Sequence, residues 1–124
     1  MKYTDTKNAP AAIGPYSQAI STGNLLFTSG QIPLDPQTGA VVGEDISSQA
    51  HQVMKNLGAV LEANGISYGD VVKTTCFLSD MKYFGDFNTV YAQYFTGKPA
   101  RSCVAVKELP KNVLCEVEAI AQLG

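Results

Sequence analysis

Apolar and polar positions change period several times along this chain, and each change marks an element. Ile46, Ala50, Val53, Met54, Leu57, Val60 and Leu61 recur at the i, i+3, i+4 spacing of one helix face. Asp45 offers an N-cap, or Ser47 does if the helix begins later, and Asn64-Gly65 supplies the stop. A second helix is expected over residues 81–96, capped by Asp80, with Phe84, Phe87, Val90, Tyr91, Tyr94 and Phe95 on its apolar side. Between the two, Val71 to Leu78 is dense in β-branched residues and reads as a strand. Earlier in the chain, the β-prone runs Tyr16 to Thr22 and Leu25 to Ser29 flank Gly23-Asn24, a dipeptide suited to a two-residue hairpin. Residues 2–6 suit a short edge strand, and the Pro- and Gly-rich stretches 8–15 and 34–44 are loops. Near the C-terminus, runs 99–106 and 113–121 flank a polar connection holding Pro110 and Asn112, and together they read as an antiparallel hairpin.

The resulting order is β-β-β-α-β-α-β-β, an α+β fold with one mixed or mostly antiparallel sheet and two helices on one face. Several strands carry consecutive apolar residues, namely Leu25-Leu26-Phe27, Val71-Val72 and Phe77-Leu78, which calls for burial on both faces. Two helices cover only one. A homo-oligomer is therefore expected.

Composition narrows the classes further. The chain has 124 residues, 45% of them apolar and 16% charged, which fits a single domain over 1–124 with its own core. A net charge of −2 with scattered Lys and Arg lacks the basic footprint of a nucleic-acid binder. Cys76, Cys103 and Cys115 form no CxxC spacing, so neither a disulfide framework nor a zinc site is indicated. The N-terminal residues lack a signal-peptide apolar core, and the expected location is cytoplasmic. Without HExxH, a helix-opening GxGxxG or GxxxxGK[ST], no metal, nucleotide or other cofactor is expected.

Candidate chemistry collects in the C-terminal runs. With the turn centred on Leu109 and Pro110, Cys103 falls opposite Glu116 and Arg101 opposite Glu118, and alternation puts all four on one sheet face. Arg101 is suited to gripping a small carboxylate bidentately, and Glu116 to moving a proton or holding a water. Cys103 is either a nucleophile or a small strand residue. A solvated cross-strand ion pair would give the same pattern. The single histidine, His51, lies off the apolar stripe of its helix and reads as surface.

Pro99-Ala100-Arg101-Ser102-Cys103-Val104, Leu109-Pro110-Lys111 and Cys115-Glu116-Val117-Glu118-Ala119-Ile120-Ala121 resemble the C-terminal signature of the RidA (YjgF) family. The resemblance extends to residues 8–18, 28–33, 72–78 and 87–91, so it covers essentially the whole chain. It implies a chorismate-mutase-like fold, a homotrimer with active sites in the clefts between subunits, and deaminase activity without a cofactor. Such proteins hydrolyse 2-imino acids such as 2-iminopropanoate and 2-iminobutanoate, released by pyridoxal-phosphate enzymes, to 2-oxo acids and ammonia. Matched residue by residue, Arg101 takes the substrate carboxylate and Glu116 the attacking water, while Cys103 contributes backbone groups. Ser29, Gly30 and Asn88 match pocket positions, and Tyr16 matches an aromatic wall that a neighbouring subunit helps to complete. The family is also credited with endoribonuclease or translation-inhibitor activity, and a non-enzymatic trimer that senses small carboxylates or acts as a chaperone is a further alternative. Three departures bear on substrate range: a short connection over 95–99, Ala105 where a Glu is common, and Cys115 where an aliphatic residue is usual.

Overall fold

The computed structural model describes residues 1–124. The strands β1 (Lys2–Thr4), β2 (Ala19–Thr22) and β3 (Leu25–Thr28) come first. They are followed by α1 (Ile46–Glu62), β4 (Val71–Leu78), α2 (Phe84–Tyr94), β5 (Ala100–Ala105) and β6 (Cys115–Gln122). The element order is the one expected from the periodicities. The six strands make one mixed sheet in the order β1-β2-β3-β6-β4-β5. Every neighbouring pair is antiparallel except β4 and β5, which run parallel across the α2 crossover.

Local chemistry sets the boundaries. The Asp45 carboxylate accepts the Ser48 N–H at 2.7 Å, so Asp45 is the N-cap of α1. Asp80 caps a short 3-10 turn, Met81–Tyr83, and α2 proper begins only at Phe84. β2 starts at Ala19, later than expected, because the chain before it is tied elsewhere. The buried Gln18 side chain accepts the Thr6 N–H at 2.7 Å and donates to the carbonyls of Thr6 and Pro10, both at 2.9 Å. Gln18 thus replaces strand pairing with a side-chain tether to the N-terminal loop.

The helices and the covered sheet face meet in one core. Val53, Met54, Leu57 and Leu61 of α1 and Phe87 of α2 pack with Leu26, Cys76, Leu78, Cys115 and Val117 of the strands. Two polar residues of α1 are buried with them and fasten loops. Asn56 donates to the carbonyls of Ile32 and Leu34 at 3.0 and 2.9 Å, and Gln49 accepts the Leu114 N–H at 2.7 Å. His51 is also more than surface. It is half-buried, and its Nδ1 lies 2.8 Å from the Tyr94 hydroxyl, which joins α1 to α2. The other sheet face carries no helix and leaves Tyr3, Phe27 and Val104 exposed.

The C-terminal pairing departs from expectation. Runs 99–106 and 113–121 do not form a hairpin, because β4 lies between them. Thr74 and Cys76 of β4 pair with Arg101 and Cys103 of β5 on one side. On the other side Thr75 and Phe77 pair with Glu118 and Glu116 of β6. The chain leaving β4 returns through α2 to run parallel beside it. Residues 106–114 then pass round the end of β4, where the Val106 N–H donates to Leu78 O at 2.9 Å and the Ser79 N–H to Leu114 O at 3.0 Å.

The facing changes with the pairing. Arg101 and Cys103 stand beside the fully buried Thr74 and Cys76, on the helix-covered face. Glu116 and Glu118 alternate with the buried Cys115, Val117 and Ala119 and so occupy the opposite face. The four side chains do not share a face, and Glu118 does not hold Arg101.

Candidate active site

The first cluster is built by one stripe of α2 over the edge strand β5. Phe84, Asn88 and Tyr91 are spaced i, i+4, i+7, which aligns them along the helix. Arg101 donates from Nη1 to the Asn88 side-chain oxygen at 2.6 Å. Its guanidinium carbon lies 4.8 Å from the Tyr91 ring centre and 5.5 Å from that of Phe84. A guanidinium carries five N–H donors and no acceptor, so one bond to Asn88 leaves several free for a ligand. Beside it opens a cleft lined by Asn88, Tyr91, Ala92, Phe95, Thr96, Lys98, Pro99 and Arg101. The cation is held by an amide oxygen and aromatic faces, not by a carboxylate, and so keeps its charge available to an anion.

The second cluster lies on the opposite face. Tyr16, Ser29, Gly30, Ile32, Pro110, Glu116 and Glu118 line a separate cavity. Gln31 exchanges two backbone hydrogen bonds with Val117, at 2.8 and 3.1 Å, and this isolated bridge lays Gly30 against β6. A Cβ on Gly30 would collide with the Glu116 carboxylate. Glu116 thus approaches Gly30 as closely as only a residue without a side chain allows. Burial, followed by the charge on Glu118, holds the Glu116 carboxyl above the ordinary carboxylate range. The Ser29 hydroxyl donates to Ser17 O at 2.5 Å, fixing the segment that carries Tyr16, a residue 54% exposed.

A guanidinium cleft and a carboxylate cavity, on two faces of a six-stranded sheet with a β-β-β-α-β-α-β-β order, are the features to set beside known proteins. The family model described as Endoribonuclease L-PSP matches residues 6–123. The chain belongs to the RidA/YjgF family. It is 57% identical over 117 residues to the RutC family protein PH0854 of Pyrococcus horikoshii, covering 94% of this chain and 93% of that one. With the 2-iminobutanoate/2-iminopropanoate deaminase of Salmonella typhimurium it shares 53% identity over 120 residues, with the same coverage of each. The structure of E. coli TdcF with bound serine superposes with a TM-score of 0.94 at 45% identity, covering 98% of both chains.

Within this RidA/YjgF chain, the residues matched by resemblance divide between the two clusters. Arg101, Asn88 and Cys103 stand on the helix-covered face, and Tyr16, Ser29, Gly30 and Glu116 at the other cavity. The Cys103 thiol is half-buried, and that burial raises its pKa more than the nearby Arg101 charge lowers it. Such a thiol stays protonated at neutral pH and is a poor nucleophile. β5 is a sheet edge, however, so its outer side offers backbone N–H and C=O groups. The short connection after α2 supplies Thr96, Lys98 and Pro99 to the rim of the Arg101 cleft. Cys115 is fully buried among the core residues. No group of three or more His, Cys, Asp or Glu side chains is gathered so that it could hold a metal ion, and no helix is long and apolar enough to cross a membrane.

Sequence reasoning placed Phe84 and Tyr91 on an apolar helix face and passed over their relation to Arg101. The available signal was their spacing with Asn88. It becomes informative only once β5 is known to lie under α2.

Proposed function

We propose that the protein hydrolyses reactive 2-imino acids, 2-iminopropanoate and 2-iminobutanoate among them, to 2-oxo acids and ammonia. The observation that carries this reading is the Arg101 guanidinium, fixed by Asn88 and two aromatic rings beside an open cleft. Relatives named for this reaction, such as the Salmonella typhimurium deaminase, support it. Arg101 binds the substrate carboxylate through its free N–H edge. Glu116, held basic enough by its partial burial, takes a proton from a water as that water's oxygen bonds to C2. Glu116 returns that proton to the imine nitrogen to give the carbinolamine, whose hydroxyl proton then passes by way of Glu116 to the amine as the C–N bond breaks, releasing ammonia and the 2-oxo acid. Backbone groups on the outer edge of β5 near Cys103 orient the imine, and the Tyr16 ring forms a wall.

Both clusters must meet for this chemistry, and within one chain the sheet stands between them. A second copy resolves the separation: its Tyr16, Ser29, Gly30 and Glu116 approach the Arg101 cleft of the first. The apolar residues left exposed on the uncovered sheet face, Phe27 and Val104, favour such packing. A cyclic trimer repeats this heterologous contact three times and closes.

The test couples threonine dehydratase to the protein and follows loss of the imine. Faster decay with the protein present, abolished in Arg101→Ala, is expected. Unchanged decay, or full activity in Arg101→Ala, rules the mechanism out. The family model's description as an endoribonuclease favours a second reading. RNA cleavage that survives rigorous purification and disappears in Glu116→Gln would establish it.

A further inference from the structure

We infer that Tyr91 is a positioning residue for substrate binding, acting through Arg101, and that the buried hydroxyl of Thr74 sets the pose of its ring. The inference rests on the reading of Arg101 as the carboxylate anchor. Tyr91 is 8% exposed, and its hydroxyl lies 2.7 Å from that of Thr74, which is fully buried. Thr74 is the β4 residue directly beside Arg101 in the sheet. The Tyr91 side chain therefore spans from the neighbour of Arg101 to the guanidinium itself, 4.8 Å from the ring centre.

Packing alone does not account for this arrangement. The Tyr91 ring also touches Phe87 and Phe95, with ring centres 6.0 and 4.7 Å away, and any apolar side chain of similar size would fill that space. Two features go beyond packing, one needing an aromatic ring and the other a tyrosine. Its hydroxyl satisfies a buried Thr74 partner, and its face lies under a cation. The hydroxyl lies on the ring's own long axis, so its bond to Thr74 keeps the ring from shifting away from Arg101, while the Phe87 and Phe95 rings packed against it resist rotation about that axis. The guanidinium is thereby stacked on one side and hydrogen-bonded by Asn88 at one nitrogen, so its remaining N–H groups are directed to the cleft before any ligand arrives. The cost of ordering a long arginine side chain is met in the free protein instead of on binding.

The test compares 2-oxobutanoate with its neutral amide, 2-oxobutanamide, by calorimetric titration of the assembled protein, alongside steady-state imine hydrolysis. In Tyr91→Leu, affinity for the acid should fall about tenfold while affinity for the amide holds, and KM should rise with kcat little changed. Tyr91→Phe should lose about threefold on the acid, because its ring keeps the contact but not the tether. A merely structural role would weaken acid and amide alike, and equal losses overturn the inference. So does an unchanged acid-to-amide ratio. If Tyr91→Leu fails to fold, the paired change Tyr91→Phe with Thr74→Val keeps the ring and removes both polar groups. In that variant a roughly threefold fall in the ratio supports the assignment, and an unaltered ratio overturns it. A wild-type protein that does not prefer the acid to the amide overturns the anchoring role of Arg101 as well. A preference that persists undiminished in the Tyr91 variants overturns only the positioning role.

Discussion

Arg101 and Glu116 stand on opposite faces of one sheet, on the two strands that flank β4. No side-chain rotation brings them together within a chain, so a site using both takes them from different copies. Arg101→Ala and Glu116→Gln should each be inactive alone. When the two are mixed, dissociated and reassociated, about a quarter of the inter-subunit sites should regain both residues, with activity to match. Light scattering should give the mass of an oligomer at micromolar concentration. A monomer, or a mixture with no recovered activity, would refute the shared site.

Asn88 holds the guanidinium by a charge-assisted hydrogen bond of 2.6 Å. Asn88→Ala should lower kcat/KM by about tenfold, chiefly through KM, with the melting temperature little altered. Asn88→Asp keeps an acceptor but places a carboxylate on Arg101, so it should compete with the substrate and rescue poorly. Steady-state kinetics on the coupled assay distinguish the two variants.

The carboxyl of Glu116 has its pKa raised by burial first and by Glu118 second. The folded chain therefore holds this proton more tightly than the unfolded chain, whose glutamate titrates near its free value of about 4.3. The group's contribution to stability is fully present below that value and is lost as pH rises through the folded pKa. Glu116→Gln should match the wild type in melting temperature at pH 4 and exceed it increasingly toward pH 8. Activity should show an acid limb in kcat/KM whose midpoint lies above 4.3, since the base must be ionised. A limb at or below the free value would remove Glu116 from that role.

Gly30 lies so close to Glu116 that a Cβ cannot be accommodated. Gly30→Ala should displace the carboxylate and reduce kcat at least about tenfold, with an overpacking cost of about 1–3 kcal/mol. Activity assays and chemical denaturation measure the two effects separately.

Cys103 carries a thiol whose pKa burial raises. Alkylation by iodoacetamide at pH 7 should be slow, and Cys103→Ala should keep activity within a few-fold of wild type, because its backbone groups remain. Loss of activity comparable to that of Arg101→Ala would instead give the thiol a direct role.

The element order, the apolar stripe of α1 and the Asp45 cap were all legible along the chain. Each depends on interactions a few residues apart or on the intrinsic preferences of the residues themselves. So was the presence of apolar residues on the second sheet face, since consecutive apolar residues in a strand point both ways. The family signature also marked Arg101, Glu116 and Asn88, but not their relation in space. Two β-prone runs joined by a short polar connection have the same pattern whether they pair with each other or flank a third strand. That choice rests on where α2 returns the chain, a long-range matter decided by how its apolar face packs on β4. Only the tertiary structure therefore put β4 between β5 and β6, turned Arg101 under α2 and left Glu116 on the far side. Because side chains alternate across a strand, the choice of neighbour and register decided which residues share a face, and here it split the candidate site in two.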